Sequence, residues 1–579
     1  MSDQTHDPME HFRFDVEKNI KSALTSINAD IPIILETPAP EFGDFTFPCF
    51  NLAPILKKSP TEIAKDLASR LPAHPSIQFE VKGPYINFKI NDHLLVERVL
   101  QLIFKLDDQY GCHTKKSEKV ILEHTSANPT DKLHVGRARN PIIGDTLARI
   151  LRSSGYDVET QYYVDDMGRQ TALKILEARH DDDWDREQYK TGYQWATSAT
   201  SVDSKDYKAD LKSELDEIMD GLEQGKPEVL KEGEIICKKM MNEIIIPSLD
   251  KINVRIDSYI NESQFMLDDS VKEVIENLKN SEFCEIEAGA NYIDLTQFDT
   301  KSGKTKFFFT RADGKSLYAT RDIAYHRWKF KNCDIAINIL GEDHKLESLY
   351  VRIGLELTGG KKVPENIFYA FVNLPEGRMS TRRGQVVYLD DLCEEAIKLA
   401  EAEVKKRRDD LTEDSMGKIA EIIGLGSIRY NIIRVQAEKK IVFKWDEALN
   451  FEGDSAPFVQ YAHARACSIL RKSEHKSDSY TPTNLHPELV IDPNEIALVR
   501  ILGKLPGLIT ECAEKRQGHP IASYSHDLAA AFNQFYRDCP VLQAESPELI
   551  ESRLALVAAT RIVLNNSLEL LGIIAPKEM

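Results

Sequence analysis

A polar stretch early in the chain has the residue types of a phosphate-binding loop. It reads Glu123-His-Thr-Ser-Ala-Asn-Pro-Thr-Asp-Lys-Leu-His-Val-Gly-Arg137, with His134 and Gly136 where a loop turns into a helix. A helix N-terminus attracts anions through its free N–H groups and its dipole. Histidine can hydrogen-bond a phosphate, and glycine lets a nucleotide approach the backbone. The alternative is a polar loop that ends in a helix cap.

A second stretch, Gly377-Arg-Met-Ser-Thr-Arg-Arg-Gly384, places three arginines and two hydroxyls between glycines. Guanidinium groups bind phosphates in a bidentate manner, so this loop is suited to anions. Taken alone, it fits an exposed basic loop equally well.

The elements around these stretches indicate an α/β domain. The apolar run Val120-Ile-Leu122 predicts a strand before the first stretch, and Pro141 to Leu151 has helical spacing after it. From Val120 to about Asp391 strands and helices alternate, which is typical of a parallel, doubly wound, Rossmann-like sheet. Ligands bind beyond the carboxyl ends of such strands, so polar clusters there carry functional weight.

The chain divides into three predicted domains. Residues 1–112 form an α+β unit, with a capping box from Ser59 to Glu62 and strands in Ile77 to Ile90. Residues 113–393 form the α/β domain, interrupted by a charged helical insertion at about 180–245. Residues 394–579 form an all-α helical bundle, because strand patterns disappear beyond 394. Its predicted helices are Leu392–Lys406, Ser415–Gln436, Phe458–Lys472, Glu495–Glu514, Tyr524–Arg537 and Glu548–Leu571.

Composition is that of a soluble globular protein, at 42% hydrophobic and 29% charged residues. No apolar run reaches the roughly 18 residues that a bilayer requires, and the polar N-terminus is unlike a targeting signal. We therefore expect a cytoplasmic protein without a membrane partner. The formal charge of −19 argues against nonspecific nucleic-acid binding, although a specific RNA partner remains compatible with it.

Several common sites are missing from the sequence. The nine cysteines include no Cys-x-x-Cys pair, which argues against a disulfide framework and a structural zinc. Gly314-Lys-Ser resembles the end of a phosphate loop, but Phe309 stands where its first glycine belongs. There is no dinucleotide-binding glycine motif and no His-Glu-x-x-His. These absences exclude a P-loop NTPase and a nicotinamide enzyme.

The two polar stretches together resemble the signature motifs of class I aminoacyl-tRNA synthetases. Within that class, the chain is similar to arginyl-tRNA synthetases over nearly its whole length. Further matches, in the same order, are Tyr162-Tyr-Val-Asp-Asp-Met-Gly-Arg-Gln170, Glu262-Ser-Gln264, Tyr318-Ala-Thr-Arg-Asp-Ile-Ala-Tyr-His326 and Gln460-Tyr-Ala-His-Ala-Arg465.

The resemblance implies ATP-dependent activation of L-arginine to arginyl-adenylate and transfer to the 3′ end of tRNA-Arg, with release of pyrophosphate and AMP. ATP and Mg²⁺ would enter as substrate, without a prosthetic group or a protein-bound metal. Such chemistry needs positioning and charge stabilisation rather than a covalent nucleophile. The family leans monomeric, and many members need bound tRNA for efficient activation.

The resemblance also assigns roles to residues. The catalytic set would be His134, Gly136, Arg137, Arg378, Met379, Ser380, Thr381 and Arg382. ATP would contact Pro129, His134, Gly136, Asp343, His344 and Met379. Arginine would be held by Glu123, Ser126, Asn128, Glu262, Tyr318 and Asp322. As an alternative, Asp322 is a helix N-cap and Arg321 forms a surface ion pair.

The N-terminal domain is similar to the domain that touches the tRNA elbow in the family, and the helical domain to its anticodon-binding domain. Candidate tRNA contacts are Tyr85, Asn87, Phe88, Phe458, Tyr461 and His463. Ordinary strand and helix packing is the alternative explanation for all six.

Four positions depart from the family pattern. Arg137 stands where the first signature usually ends in histidine. Arg378 and Thr381 replace lysines of the second signature, with Arg382 beside them, and Met167 stands where tryptophan is common. Arginine keeps the positive charge but presents a planar fork.

Three other functions compete with this one. A class I synthetase for another amino acid, such as cysteine, would need a different pocket and a Cys/His zinc cluster. A non-catalytic tRNA-binding paralogue would not need the polar residues from Glu123 to Arg137. A small nucleotidylyltransferase shares the His-x-Gly-x loop but lacks so long a helical domain.

Overall fold

The computed structural model describes residues 6–129, 132–180, 196–197, 200–201, 204, 208–298, 300, 303–373, 387–408, 410–473, 477, 480–482 and 484–579. Among these residues, no helix combines the length and apolar character that a bilayer crossing requires.

The strands, in chain order, are β1 (Phe45–Pro48), β2 (Ile77–Lys82), β3 (Tyr85–Ile90), β4 (Lys119–Glu123), β5 (Asp157–Val164), β6 (Ser258–Asn261), β7 (Cys284–Glu287), β8 (Ala290–Asp294), β9 (Lys306–Phe308), β10 (Ile335–Gly341), β11 (Glu365–Tyr369), β12 (Val372–Asn373) and β13 (Ile441–Val442).

In the described part of the chain, the α-helices up to residue 279 for which both ends are described are α1 (Pro8–Ser26), α2 (Ala53–Leu56), α3 (Pro60–Ala68), α4 (Asp92–Leu106), α5 (Arg139–Ser153), α6 (Arg169–His180), α7 (Ala209–Glu223), α8 (Pro227–Met240), α9 (Ile246–Lys251), α10 (Gln264–Leu267) and α11 (Ser270–Lys279). The remaining ones are α12 (Tyr318–Asn332), α13 (Lys345–Leu357), α14 (Leu389–Arg407), α15 (Glu413–Ile433), α16 (Trp445–Ala448), α17 (Ala456–Lys472), α18 (Pro493–Leu502), α19 (Leu505–Lys515), α20 (His519–Asp538) and α21 (Pro547–Leu570).

The N-terminal domain is the predicted α+β unit. Its antiparallel sheet has the order β1-β3-β2, of which the sequence had indicated the last two strands. The predicted capping box is confirmed, because the Ser59 side chain accepts from the Glu62 backbone while the Glu62 side chain accepts from the Ser59 backbone. These two reciprocal hydrogen bonds satisfy backbone N–H groups that the first turn of α3 leaves free.

The middle domain is organised around five parallel strands in the order β11-β10-β4-β5-β6. The central strand β4 is fully buried at Val120, Ile121 and Leu122, as expected for a sheet covered on both faces. The chain leaves β4 in one direction to β5 and β6 and returns on the other side to β10 and β11. The gap between β4 and β10 is therefore the switch point of the sheet, and Glu123 lies directly beside Asn338 there.

One predicted strand belongs to a different sheet. The alternation of strands and helices from Val120 to about Asp391 predicted one parallel sheet, but β9 within that range pairs antiparallel with β8, which pairs with β7. The two-residue link Ala288-Gly289 has φ values of 49° and 85°, which is the geometry of a tight hairpin. These strands form a separate three-stranded layer rather than part of the doubly wound sheet.

The predicted insertion at about 180–245 is helical where the structure describes it. Helices α7 and α8 bury an apolar face that includes Leu215, Leu222 and Ile236 in one cluster with Leu173 of α6. Residues 181–195 of the predicted insertion lie outside the described residues.

The C-terminal domain is a helical bundle with two differences from the prediction. The predicted helix Glu495–Glu514 is two helices, α18 and α19, which meet at Gly503-Lys504 ahead of Pro506 at the second position of α19. Proline lacks an N–H and suits the first turn of a helix, so it starts a new one here. The region beyond 394 also contains β13, which pairs in parallel with β12 of the middle domain.

Two buried arginines connect the middle and helical domains. Arg429 of α15 contacts Asp145 of α5 at 2.6 Å and the Leu571 carbonyl at 2.7 Å. Arg139, at the start of α5, donates to four carbonyl oxygens, those of Ala370 (2.9 Å), Val435 (3.1 Å), Gln436 (2.6 Å) and Lys439 (2.6 Å). Burial lowers the pKa of Arg139 to about 10, so it stays charged at neutral pH.

Candidate active site

A cavity of about 420 Å³ opens at the switch point, beyond the carboxyl ends of β4 and β10. It brings together residues that are far apart in the sequence. Of the predicted site residues, it is lined by Glu123, Ser126, Asn128, Arg137, Tyr318, Asp322, Asp343 and His344. Pro129, His134, Gly136 and Glu262 are not among the lining residues.

The loop after β4 is held in an unusual conformation. Thr125 and Ser126 have φ values of 70° and 37°, in the left-handed region that side chains other than glycine rarely adopt. The Ser126 hydroxyl donates to Glu123 Oε1 at 2.9 Å and accepts from the Tyr163 backbone N–H at 3.0 Å. The strained turn is thus fixed with its polar groups at the cavity wall.

The His-Val-Gly-Arg segment enters α5 as predicted. Val135–Arg137 form a 3₁₀ turn capped by His134, whose Nδ1 accepts from the Gly136 N–H at 2.8 Å. A Cβ at Gly136 would lie 2.9 Å from this nitrogen, so only glycine leaves room for the imidazole. Arg137 is exposed and lines the cavity.

The two predicted arginine-binding carboxylates differ in accessibility. Glu262 is fully buried and its Oε1 lies 2.5 Å from Arg321 Nε, so an arginine of the chain itself occupies it. Burial raises the pKa of Glu262 well above its usual value, and nearby Asp165 adds to this, while Arg321 opposes it. Glu262 therefore lies behind Arg321.

Asp322 faces the cavity and is 24% exposed. It lies in the second turn of α12, whose N-cap is Leu317, so the alternative of an N-capping Asp322 with a surface-paired Arg321 is wrong. Burial disfavours its charged form, but His326, whose Nδ1 is 3.0 Å away, and Lys329 outweigh this and lower the pKa of Asp322. Asp322 is therefore a negatively charged side chain on the cavity wall that is suited to a positively charged ligand.

Asp343 and His344 follow β10 in a 3₁₀ turn on another wall of the cavity. His344 Nδ1 contacts Glu347 at 2.9 Å, and this contact raises the pKa of His344 against the effect of burial. Asp343 is exposed. A histidine of raised pKa opposite Arg137 makes this wall suitable for an anion.

The second signature lies outside the described residues. This covers Arg378, Met379, Ser380, Thr381 and Arg382, whose roles remain predictions.

A chain of hydrogen-bonded polar side chains runs from the cavity wall to the buried Lys329, and this chain was not predicted. Lys329 is fully buried, with its ammonium between Glu123 and Asn338. Asn338 in turn contacts His326, which contacts Asp322. Two signals could have indicated it: Asp322, His326 and Lys329 recur at spacings of four and three on one helix, and Asn338 interrupts an apolar strand.

Of the predicted elbow contacts in β3, Asn87 and Phe88 are 6% and 1% exposed. The Phe88 ring packs 6.3 Å from that of Phe79, inside the domain. Neither side chain presents a face to an RNA base, which corrects that expectation. Tyr85 is half-buried, with its ring 5.4 Å from that of Phe50, and it keeps a surface for stacking.

The three residues predicted to contact the anticodon lie on α17 and differ in how exposed their side chains are. His463 is 3% exposed and contacts the Pro576 carbonyl at 2.8 Å, so it packs within the bundle rather than facing RNA. Tyr461 is 40% exposed, and the Arg465 guanidinium lies 4.8 Å from its ring. Phe458 is half-buried beside His526, at 5.0 Å between ring centroids.

Three family models match successive parts of the chain. Residues 15–90 match the arginyl tRNA synthetase N terminal domain, residues 99–445 the catalytic domain of tRNA synthetases class I (R), and residues 459–579 the DALR anticodon binding domain.

Relatives match over nearly the whole length. An arginine–tRNA ligase of Methanothermobacter thermautotrophicus is 42% identical over 98% of this chain and 99% of its own. One of Methanocella arvoryzae is 43% identical over 92% of each chain. The solved Thermus thermophilus arginyl-tRNA synthetase has 28% identity and a TM-score of 0.81, covering 98% of this chain and all of that one.

The parallel sheet, the cavity at its switch point and the catalytic-domain match define a class I aminoacyl-tRNA synthetase. Within that class, the relatives that match over nearly the full length are arginine–tRNA ligases. The chain belongs to the arginyl-tRNA synthetase family.

Proposed function

We propose that the protein charges tRNA-Arg with L-arginine in two steps at the switch-point cavity. The arginine carboxylate attacks the α-phosphorus of ATP and releases pyrophosphate, and a terminal ribose hydroxyl of the tRNA then attacks the arginyl-adenylate and releases AMP. One observation supports this most strongly: an ionised Asp322, suited to a guanidinium, lines the same cavity as Arg137 and His344, which are suited to phosphates.

The phosphate end of the site uses positive charge and helix geometry. Arg137 and His344 would bind the triphosphate, while the start of α5 behind His134 and Gly136 adds its dipole. Pro129 would border the nucleotide. Arg378, Ser380, Thr381 and Arg382 would close over the β- and γ-phosphates, with Met379 against the adenine.

The arginine end uses carboxylates and hydroxyls. Asp322 and Tyr318 would receive the guanidinium, because a planar guanidinium pairs best with a carboxylate in a dry site. Ser126, Asn128 and Glu123 would hold the amino-acid backbone. Glu262 remains the predicted second carboxylate: the Arg321 guanidinium that it binds supports a preference for this group.

ATP would enter as its magnesium complex, held mostly by phosphates and water. Asp343, an exposed carboxylate on the cavity wall, is the ligand type that Mg²⁺ takes. We further propose that the helical domain binds the anticodon with Tyr461 and Phe458, that Tyr85 contacts the tRNA elbow, and that the protein acts as a cytoplasmic monomer.

An aminoacylation assay with labelled arginine, ATP and tRNA-Arg, beside a mock reaction without tRNA, tests this function. We expect acid-precipitable labelled arginine only when both ATP and tRNA are present. When labelled cysteine replaces arginine, we expect no acid-precipitable label. Charging of cysteine would favour another class I synthetase. Binding of tRNA without any charging would favour a non-catalytic paralogue.

A further inference from the structure

Lys329 is a buried cation next to the cavity, and its ammonium carries hydrogen-bond donors but no acceptor. Its side chain is fully buried, and its ammonium contacts Glu123 Oε2, Asn338 Oδ1 at 3.0 Å and the face of Tyr325 at 4.1 Å. A buried ammonium is costly unless it is paired and hydrogen-bonded, and this one has a carboxylate, an amide oxygen and an aromatic face around it.

This cation fixes the orientation of the next side chain. Since Lys329 only donates, the atom of Asn338 that faces it must be the carbonyl oxygen. The amide nitrogen of Asn338 then points the other way, 2.8 Å from His326 Nε2 and 3.0 Å from Asn366 Oδ1. The amide has no freedom to flip, because a flip would place its N–H groups against an ammonium.

The orientation is passed on to histidine. An amide N–H at His326 Nε2 requires that this nitrogen accepts, so in the neutral ring the proton sits on Nδ1. Nδ1 lies 2.8 Å from the Asp322 carbonyl oxygen and 3.0 Å from its Oδ1, and both of these are acceptors. The hydrogen-bond direction that Lys329 imposes therefore leaves His326 Nδ1–H as the donor to Asp322.

The same lysine acts on the other half of the arginine subsite. Glu123 accepts from Lys329 with one oxygen and from the Ser126 hydroxyl with the other, at 2.9 Å. The Ser126 hydroxyl, with its proton directed to Glu123, keeps its oxygen for the Tyr163 N–H. One buried cation thus orders both predicted ends of the amino-acid site.

We propose that Lys329 is a positioning residue that sets the donor direction along Lys329–Asn338–His326–Asp322 and so fixes Asp322 for a substrate guanidinium. The proposal rests on the proposed function of the cavity. Lys329 touches no substrate, and it acts through the His326 tautomer.

Two variants test this by different routes. Lys329→Met removes the donor while keeping the length of the side chain. Asn338→Asp keeps the contact with Lys329 but replaces the amide donor by a carboxylate acceptor, so His326 Nε2 must then donate. Because Nδ1 still faces two acceptors, the ring takes up a second proton, and its positive charge competes with a substrate guanidinium for Asp322. Lys174→Met is the matched control, since Lys174 is also fully buried and pairs with Glu177 at 3.0 Å, away from the cavity.

Arginine-dependent pyrophosphate exchange, with tRNA present, gives KM for arginine and for ATP separately. For both test variants we expect KM for arginine to rise by about 10- to 100-fold, the range for a lost hydrogen bond to a charged group. KM for ATP should change by no more than about twofold, because neither substitution is at a residue that we propose to contact ATP. Lys174→Met should leave the ratio of the two KM values at the wild-type value, even if it lowers thermal stability.

Nitrogen-15 NMR of histidine-labelled protein, assigned with His326→Gln, reads the tautomer directly. We expect a proton on Nδ1 alone in the wild type, protons on both ring nitrogens in Asn338→Asp, and loss of the single tautomer in Lys329→Met. If Lys329→Met fails to fold, Asn338→Asp decides the matter alone. An unchanged tautomer with unchanged KM for arginine in a folded variant overturns the proposal, whereas a wild-type protein without exchange activity overturns the proposed function instead.

Discussion

At the scale of single residues, Asp322 is the group on which the proposed specificity depends. It is an ionised carboxylate that lines the cavity where we propose that arginine binds, and the second predicted carboxylate, Glu262, is already paired with Arg321. A site built to pair with a charged substrate group loses that substrate when its own charge is removed, because the guanidinium is then desolvated without compensation.

Asp322→Ala should therefore reduce arginine-dependent pyrophosphate exchange at least about a hundredfold, the effect of about 3 kcal/mol. Binding of tRNA should stay close to that of the wild type, as filter binding can measure. Asp216→Ala, which removes an exposed carboxylate of α7, serves as control and should leave exchange unchanged. Wild-type exchange kinetics in Asp322→Ala would remove Asp322 from the arginine site.

His124 carries a different consequence, for pH. It is 1% exposed beside Glu123, and burial lowers the pKa of His124 to about 4. Its ring packs against Gly144, where a Cβ would lie 2.3 Å from His124 Cγ, so the ring has little room to move toward water when it is protonated. The unfolded chain, with a histidine pKa near 6.5, binds this proton first.

The native state is consequently favoured by His124 above about pH 6.5, and this contribution is lost as pH falls toward 4. The difference amounts to about 3 kcal/mol over that window, by linkage. His124→Gln should lower the free energy of unfolding at pH 7 but should lose less of it between pH 7 and 4.5 than the wild type does. Urea unfolding at four pH values measures this, and parallel pH profiles would disprove it.

At the scale of elements, the N-terminus of α5 is tied to two distant segments by Arg139. Its four acceptors lie just before β12 and in the link between α15 and β13. A guanidinium with five donors in a planar fork can serve four carbonyls at once, and a lysine cannot.

Arg139→Met should lower the free energy of unfolding by about 3 kcal/mol or more, because four buried carbonyls lose a charged donor. Hydrogen exchange should rise locally in residues 370–373 and 435–440. Arg152→Met, on the same helix but 38% exposed at its side chain, is the control, for which we expect less than about 1 kcal/mol. Equal effects of the two variants would contradict the role of Arg139.

Much of this arrangement follows from local patterns. The run Val120-Ile-Leu122 and the polar residues after it predict a buried strand that ends at a ligand site, because periodicity and strand-end chemistry are local properties. Strand β9 pairs with the β7–β8 hairpin, and the turn of that hairpin, Ala288-Gly289, lacks the usual Asn-Gly signal. Helix α18 ended early because of Gly503 and Pro506, which a helical periodicity alone does not reveal.

The site was less accessible to prediction, for a physical reason. Glu262 and Arg321 are separated by 59 positions, and only the packing of α12 beside β6 decides that they pair instead of facing a substrate. Phe88 has the same residue type whether it faces RNA or the core. Burial, which decides between these, is a property of the whole fold.

At the scale of the molecule, Arg429 forms a buried contact between the catalytic and helical domains. It contacts Asp145 across the interface, and Arg149 shares that carboxylate at 2.8 Å. These two cations lower the pKa of Asp145 although burial opposes this. Removal of one partner of a buried ion pair leaves a desolvated charge and usually costs about 3–5 kcal/mol.

Arg429→Met should accordingly destabilise the protein by several kcal/mol, roughly 3–5 by the same reasoning, and should separate the melting of the two domains in calorimetry. The double variant Asp145→Asn/Arg429→Met should recover part of the loss, since it removes the buried carboxylate that would otherwise keep only Arg149 as a partner. Additive effects of the two substitutions would show that the residues act independently.

The position of β4 in the middle of its sheet has a consequence for synthesis on the ribosome. Strand β4 meets β5 soon after it is made, but the residue that anchors its other edge, Asp334 bound to the Lys119 N–H, is 215 positions further along. At roughly 5–20 residues per second, that edge waits for about 10–40 s. Throughout this interval a strand that is buried in the finished protein exposes unpaired N–H and C=O groups. The nascent chain is then a substrate for chaperones, and the cavity does not exist until that interval ends.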